Sequence, residues 1–143
     1  MRALLQRERH GVLSTLHHQF AATPFGSLAP YALTAEHEPV FLFSQIAEHT
    51  KNLAAQPRSS LLVQDTAHGG NPLAHARVTL LGTAEAPGGA ERAALLAAYL
   101  ARFPEAASYA SAHDFHPFVL RVERVRWIAG FGAMGWFEQT QWR

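Results

Sequence analysis

Ser44, His49, Thr50, Lys51 and Asn52 bring two hydroxyls, an imidazole, a cation and an amide into one short stretch of the chain. Hydroxyl donors, a lysine and the free backbone N–H groups of a helix start suit a bound phosphate. On spacing alone, the same residues also read as a helix cap beside a solvated lysine. The flanking elements give the stretch its setting. An apolar run over residues 40–43 predicts a strand that Ser44 ends. Residues 48–55 form a short helix stopped by Pro57, and residues 58–65 return as a strand. We read this strand–helix–strand unit as the holder of the phosphate end of a cofactor, with the rest of the chain sheltering the remainder.

The other elements follow from periodicity and punctuation. Residues 2–9 have helical composition, and Gly11 is placed to stop that helix. Residues 11–16 read as a first strand. Residues 26–33 read as a second, with Pro30 forcing an edge or an irregularity. A turn over residues 36–39 lets this second strand pair with residues 40–44 as a hairpin. Residues 66–72 are a loop rich in Gly, Asn and Pro. In residues 76–85, Arg77, Thr79, Thr83 and Glu85 alternate with Ala76, Val78, Leu80 and Ala84, which gives one polar and one buried face, Leu81 being the exception. Residues 90–103 are the clearest helix, with Ala93, Leu96, Leu100 and Phe103 on one stripe and Leu95 and Tyr99 beside it. Residues 105–112 add a helical stretch. Residues 118–128 read as a long strand or a bent pair whose phase slips at Glu123-Arg124, as a bulge or corner produces. The count is six or seven strands and two or three helices. The expected fold is mainly β (α+β), a six- to seven-stranded antiparallel split β-barrel with flanking short helices, because closure removes exposed strand edges.

Composition narrows the function classes. The chain has 143 residues, 48% of them hydrophobic, enough for one domain over residues 1–143 with a sizeable core. Twelve basic and 11 acidic side chains leave a net charge of +1, which gives no electrostatic reason to expect nucleic acid or an anionic membrane as partner. The absence of cysteine excludes disulfides, thiolate metal sites and cysteine nucleophiles. The first ten residues lack the apolar segment of a signal peptide. No run approaches the ~20 apolar residues of a membrane helix. A soluble, cytoplasmic protein is the default expectation. No glycine-rich dinucleotide fingerprint, Walker motif or nucleophile elbow occurs.

Two further features join the polar stretch. Residues 26–31, which include Ser27 and Leu28, are small and apolar and expose backbone groups along which a flat ring can lie. Arg77 can hydrogen-bond a carbonyl oxygen or a ring nitrogen. The order of these pieces resembles a known family: Gly26 to Ala32, a strand ending in Ser44, His49-Thr50-Lys51-Asn52-Leu53 before Pro57-Arg58, Arg77-Val78-Thr79-Leu80 with Gly82, and a late Gly130-Phe131-Gly132. It is similar to the FMN-binding split β-barrels of the pyridoxamine 5′-phosphate oxidase-like superfamily. Within that superfamily it most resembles the haem-utilisation branch, which carries a similar His-Thr-basic-Asn-Leu stretch and a similar late Gly-Phe-Gly.

The resemblance implies a homodimer with FMN in the clefts between subunits. Thr50 and Lys51 would hold the FMN phosphate, with Ser44, His49 and Asn52 beside it. Ser27 and Leu28 would line the ring edge, Arg77 would approach the ring, and Gly130 to Gly132 would lie near the dimer cleft. The strand over residues 26–32 lacks the basic residues that the name-giving oxidases carry, which argues against vitamin B6 oxidation. The haem-degrading members also have a further C-terminal region. Two functions follow as expectations. One is an FMN-dependent oxidoreductase, with the redox chemistry carried by the flavin. The alternative is a non-catalytic flavin- or haem-binding module, or a haem-utilisation protein without that C-terminal region. His17-His18 and the His113/His116 pair offer ligands, but spacing supplies no third partner for a metal, so none is expected.

Overall fold

The computed structural model describes residues 1–112 and 114–142. The chain order is α1 (Arg2–Arg7), β1 (His10–Leu16), β2 (Pro24–Pro30), β3 (Ala32–Leu33), β4 (Pro39–Ser44), α2 (Glu48–Ala55) and β5 (Arg58–Gln64). Then come β6 (Arg77–Glu85), α3 (Gly89–Arg102), α4 (Ala107–Ala110), β7 (Phe115–Ile128), β8 (Met134–Glu138) and α5 (Gln139–Trp142). Among the described residues, eight strands form one sheet in the order β2-β1-β5-β6-β7-β4-β3, with β8 also on β7. Every pairing is antiparallel. The sheet curls into a split barrel, as the sequence predicts. It holds eight strands where six or seven were expected: residues 26–33 are two strands, and β8 (Met134–Glu138) pairs with β7.

Pro30 is the reason for that split. It removes a donor at the sheet's end, and after it the chain turns through Tyr31. The Tyr31 N–H bonds the Arg9 carbonyl, and its hydroxyl donates to the Leu5 carbonyl at 2.8 Å. The expected hairpin with β4 is therefore made by β3 alone, Ala32 opposite Val40 and Leu33 opposite Pro39. The larger piece, β2, pairs with β1 instead. Gly11 does not stop the first helix, which ends at Arg7 with Glu8 as its cap. Gly11 lies inside β1, where a Cβ would come within 2.6 Å of the Leu62 carbonyl oxygen.

The alternation over β6 is realised in full, with Val78, Leu80, Gly82 and Ala84 buried. Leu81 keeps the phase and simply places an apolar side chain on the outer face. The phase slip in β7 is a bulge: Leu81 pairs with Arg124 and Gly82 with Val122, so Glu123 is the extra residue. Glu123 accepts a hydrogen bond from the Thr83 hydroxyl at 2.9 Å. The inner face, including Leu13, Phe41, Leu61, Val63, Val78 and Leu120, packs with α1 and Trp142 into the main core. A second cluster joins α3 and α4 to Val40, Leu42 and Val119. The buried face of α3 centres on Leu95 and Tyr99 rather than on Ala93, which is exposed. That rotation brings a tyrosine to the split between the two ends of the sheet.

Candidate functional site

A cavity of about 330 Å³ opens at that split, between β2 at one end of the sheet and β4 near the other. Leu28 comes from β2, Phe43 and Ser44 from β4, and His49 from α2. Tyr99, Tyr109 and Phe115 arrive from α3, α4 and β7. The walls are mainly aromatic and aliphatic, with few polar groups, which is the make-up of a small-molecule site. Its volume is at the low end for such sites, ~300–1,000 Å³.

His49 is the polar centre of this cavity. Its ring packs on Phe43 with centroids 4.2 Å apart. Its Nε2 is closed off from solvent, and so from the open cavity, and has no hydrogen-bond partner among the described residues. Burial holds the imidazole below its ordinary pKa of 6.5, so it stays neutral at physiological pH and keeps a nitrogen lone pair. A buried polar atom without a partner costs free energy unless a ligand supplies one. Beside it, the Ser44 hydroxyl donates to Asp114 Oδ2 at 2.9 Å, and the Gln45 N–H bonds the Asp114 carbonyl at 2.7 Å. These bonds fix the β4–α2 turn against the start of β7.

The structure separates the remaining residues singled out from the sequence. Successive helical residues turn by about 100°, so positions two apart face opposite ways. Lys51 accordingly points away from His49, into a different hollow shared with Gln45, Thr50 and Phe118. It is 46% exposed, and its Nζ lies 3.6 Å from Glu48 Oε1. The Thr50 hydroxyl is committed to the Ser44 carbonyl at 2.6 Å. Asn52 is fully buried: its Oδ1 accepts the His18 N–H at 2.9 Å, and its Nδ2 donates to the Thr15 hydroxyl at 3.0 Å. Ser27 pairs with Leu13 and takes the face of β2 opposite to Leu28. Arg77 donates to the Leu73 and His75 carbonyls, closing the loop before β6 instead of lining the cavity. Of the expected set, then, Leu28, Ser44 and His49 converge.

His17 and His18 do meet a third donor that spacing could not show, Glu48 on α2. Its Oε2 lies 3.1 Å from His17 Nε2 and 3.3 Å from His18 Nε2. Tautomer chemistry assigns this cluster a hydrogen-bonding role. His17 Nδ1 accepts the Gln19 and Phe20 N–H groups, each at 3.1 Å, so the proton sits on Nε2 and is donated to Glu48. A metal at Nε2 would need the opposite tautomer and would break both backbone bonds. Desolvation pushes the Glu48 carboxyl up, but the His18 hydrogen bond, the Lys51 charge and His17 together hold it below its ordinary value. The His113/His116 pair falls partly outside the described residues. His116 itself takes a hydrogen bond on Nδ1 from Arg92 at 2.6 Å.

The sequence reading missed Tyr99, Tyr109, Phe115 and Asp114. They sit 50 or more positions beyond His49, and only the return of α3, α4 and β7 to the split brings them in. Local periodicity carries no signal for that.

The outer face of the sheet leads to the same cavity. Register places Leu28, Val12, Leu62, Thr79, Arg126 and Trp136 in one row across six strands. Leu28 is 70% exposed and Trp136 58%, with Val12 and Leu62 also open to solvent. Trp136 stacks under the Arg126 guanidinium, and Phe131 in the preceding loop is exposed.

A half-closed antiparallel barrel with an aromatic cavity at its split defines a class of split β-barrels. Within it, this chain belongs to the family described as CREG, beta-barrel, which it matches over residues 1–143. It is 32% identical over 130 residues to the chloroplastic non-canonical haem oxygenase HOZ of Arabidopsis thaliana, covering 91% of this chain and 39% of that protein. It superposes on a haem binding protein from Mycobacterium smegmatis with a TM-score of 0.92 and 39% identity, covering 99% of this chain and 57% of the other. HutZ of Vibrio cholerae, described as a haem storage protein, shares the fold with a TM-score of 0.75 and 24% identity over 96% of this chain and 90% of that one. This chain thus spans about two-fifths of the curated relative and a little over half of the mycobacterial protein. No helix among the described residues is long and apolar enough to cross a membrane.

Proposed function

We propose that this barrel binds haem, with the His49 ring turning from the cavity wall to bring a nitrogen to the group and Leu28, Phe43 and Phe115 supplying apolar walls. The observation that carries this reading is the neutral imidazole of His49, with a sealed and partnerless Nε2, in the wall of an otherwise aromatic cavity. The donor set fits the group: a neutral imidazole is a haem ligand, and apolar side chains suit a porphyrin face. Two relatives with more than 30% identity are named for haem, which supports the same reading. Bound haem would supply iron redox chemistry. The chain's own part is to hold the ring, keep His49 neutral and exclude water from its nitrogen.

FMN is the second reading. It keeps a flat ring in the same cavity but needs Thr50 and Lys51 for the phosphate. The Thr50 hydroxyl already has a partner, and Lys51 lies on the far side of α2 from His49. Haem makes no such demand and is favoured.

One protomer supplies only part of the enclosure, so we infer that a second copy of the chain covers the row from Leu28 to Trp136. Continuity of that apolar row with the cavity through Leu28 supports a second copy as the occupant. Titration with hemin should give a saturable Soret band, while added FMN should stay fluorescent. FMN binding without any Soret change would reverse the order of the two readings. Val12→Asp should turn a dimer into a monomer in sedimentation, and an unchanged mass would place the interface elsewhere.

A further inference from the structure

The three tyrosines of the chain treat their hydroxyls differently. Tyr31 is fully buried, and its hydroxyl donates to the Leu5 carbonyl at 2.8 Å. Tyr109 stands at the cavity rim, well exposed, with its ring 5.0 Å from that of Phe115. Tyr99 is only 4% exposed, yet its hydroxyl has no hydrogen-bond partner among the described residues. The oxygen is not one of the partnerless atoms sealed from solvent, so it reaches open space, and the open space that Tyr99 lines is the cavity.

Buried tyrosine hydroxyls ordinarily find a partner. Nothing about Tyr99 suggests that it is misplaced. It sits in the last turn of α3, buried with Leu95, and its ring packs against Phe103 with centroids 4.9 Å apart. Burial, then the neighbouring Tyr109 and Glu105, push its pKa up to about 12. The phenol is thus protonated at any physiological pH. It can donate a hydrogen bond but is a poor source of a phenolate ligand for iron.

The hydrogen-bond acceptors of haem are its propionate carboxylates. We propose that the Tyr99 hydroxyl donates a hydrogen bond to a propionate oxygen of the bound porphyrin and so sets which edge of the ring enters the cavity. This rests on the haem reading above and adds to it a residue from α3, outside the polar stretch around α2. Tyr99 is then a specificity-determining residue, selecting tetrapyrroles that carry a free carboxylate.

The test compares hemin with hemin dimethyl ester, whose carboxylates are capped. Soret titrations of the wild-type chain should favour hemin by roughly ten- to a hundredfold, the range for a hydrogen bond to a charged acceptor. Tyr99→Phe keeps the ring in the α3 cluster and should erase that preference while leaving the Soret maximum in place. A wild-type chain that binds both forms equally would overturn the proposal without any variant. So would a Tyr99→Phe chain that keeps the preference. A Soret maximum displaced by Tyr99→Phe would make the phenol an iron ligand and would also overturn it. Absence of a Soret band in the wild type would bring down the haem reading and this inference together. In the earlier outcomes the haem reading survives.

Discussion

The two flanks of α2 are built from the same kinds of polar residue and treat them in opposite ways. On the flank facing β1 and the connector after it, the polar groups are paired. Asn52 bridges the His18 N–H and the Thr15 hydroxyl, and Glu48 accepts from His17 and His18. Toward the split, the sealed His49 Nε2 and the Tyr99 hydroxyl have no partner among the described residues. Saturated bonding marks the flank that anchors the helix, and open bonding marks the flank that meets a ligand.

The sharpest way to break this comparison is at Asn52. Asn52→Ala removes two buried hydrogen bonds and strands the His18 N–H, so it should cost about 2–4 kcal/mol in urea unfolding. A loss below ~1 kcal/mol would show that water replaces the amide and that this flank is not an anchor.

Acid should act on both flanks, with separable causes. Burial lowers the folded pKa of His49 from its ordinary 6.5, so stability should begin to fall once the pH drops below that value and the unfolded chain takes up the proton. Glu48 is also held below its ordinary 4.5; its contribution is present above that value and is lost as the pH falls through the lower folded value. In denaturation curves taken across pH, His49→Leu should remove the first decline and Glu48→Gln the second. Identical profiles for wild type and both variants would assign acid sensitivity to other groups.

The smallest expected effect is at Lys51. Its pairing with Glu48 is exposed and spaced i, i+3, so Lys51→Ala should change stability by about 0.5 kcal/mol or less. Hemin affinity should not change. A large loss of ligand affinity would move the ligand to the other side of the helix and restore the phosphate role first suggested by its neighbours.

Much of this comparison rests on what a linear reading can and cannot reach. The bounds of α2, the alternation in β6 and the slip at Glu123 were legible because each is written in adjacent residues. The convergence of Leu28, Ser44 and His49 followed from a family-like order of short motifs. Lys51 and His49 face different hollows because a helix divides sequence neighbours between its faces, which grouping by closeness in sequence does not show. The pairing of β2 with β1, the Glu48–His17–His18 cluster and the arrival of Tyr99 depend on strand order and on the rotation of α3. Those are set by packing across tens of residues, and composition does not encode them locally.

The central claim is that the unpartnered imidazole of His49 marks the haem site. Its most direct test is hemin titration of His49→Leu beside the wild type, with unfolding curves on both. The account predicts a Soret affinity reduced at least about tenfold, together with stability unchanged or raised, since the substitution removes a buried polar atom without a partner. Wild-type hemin affinity in His49→Leu, or a parallel collapse of its stability, would contradict it.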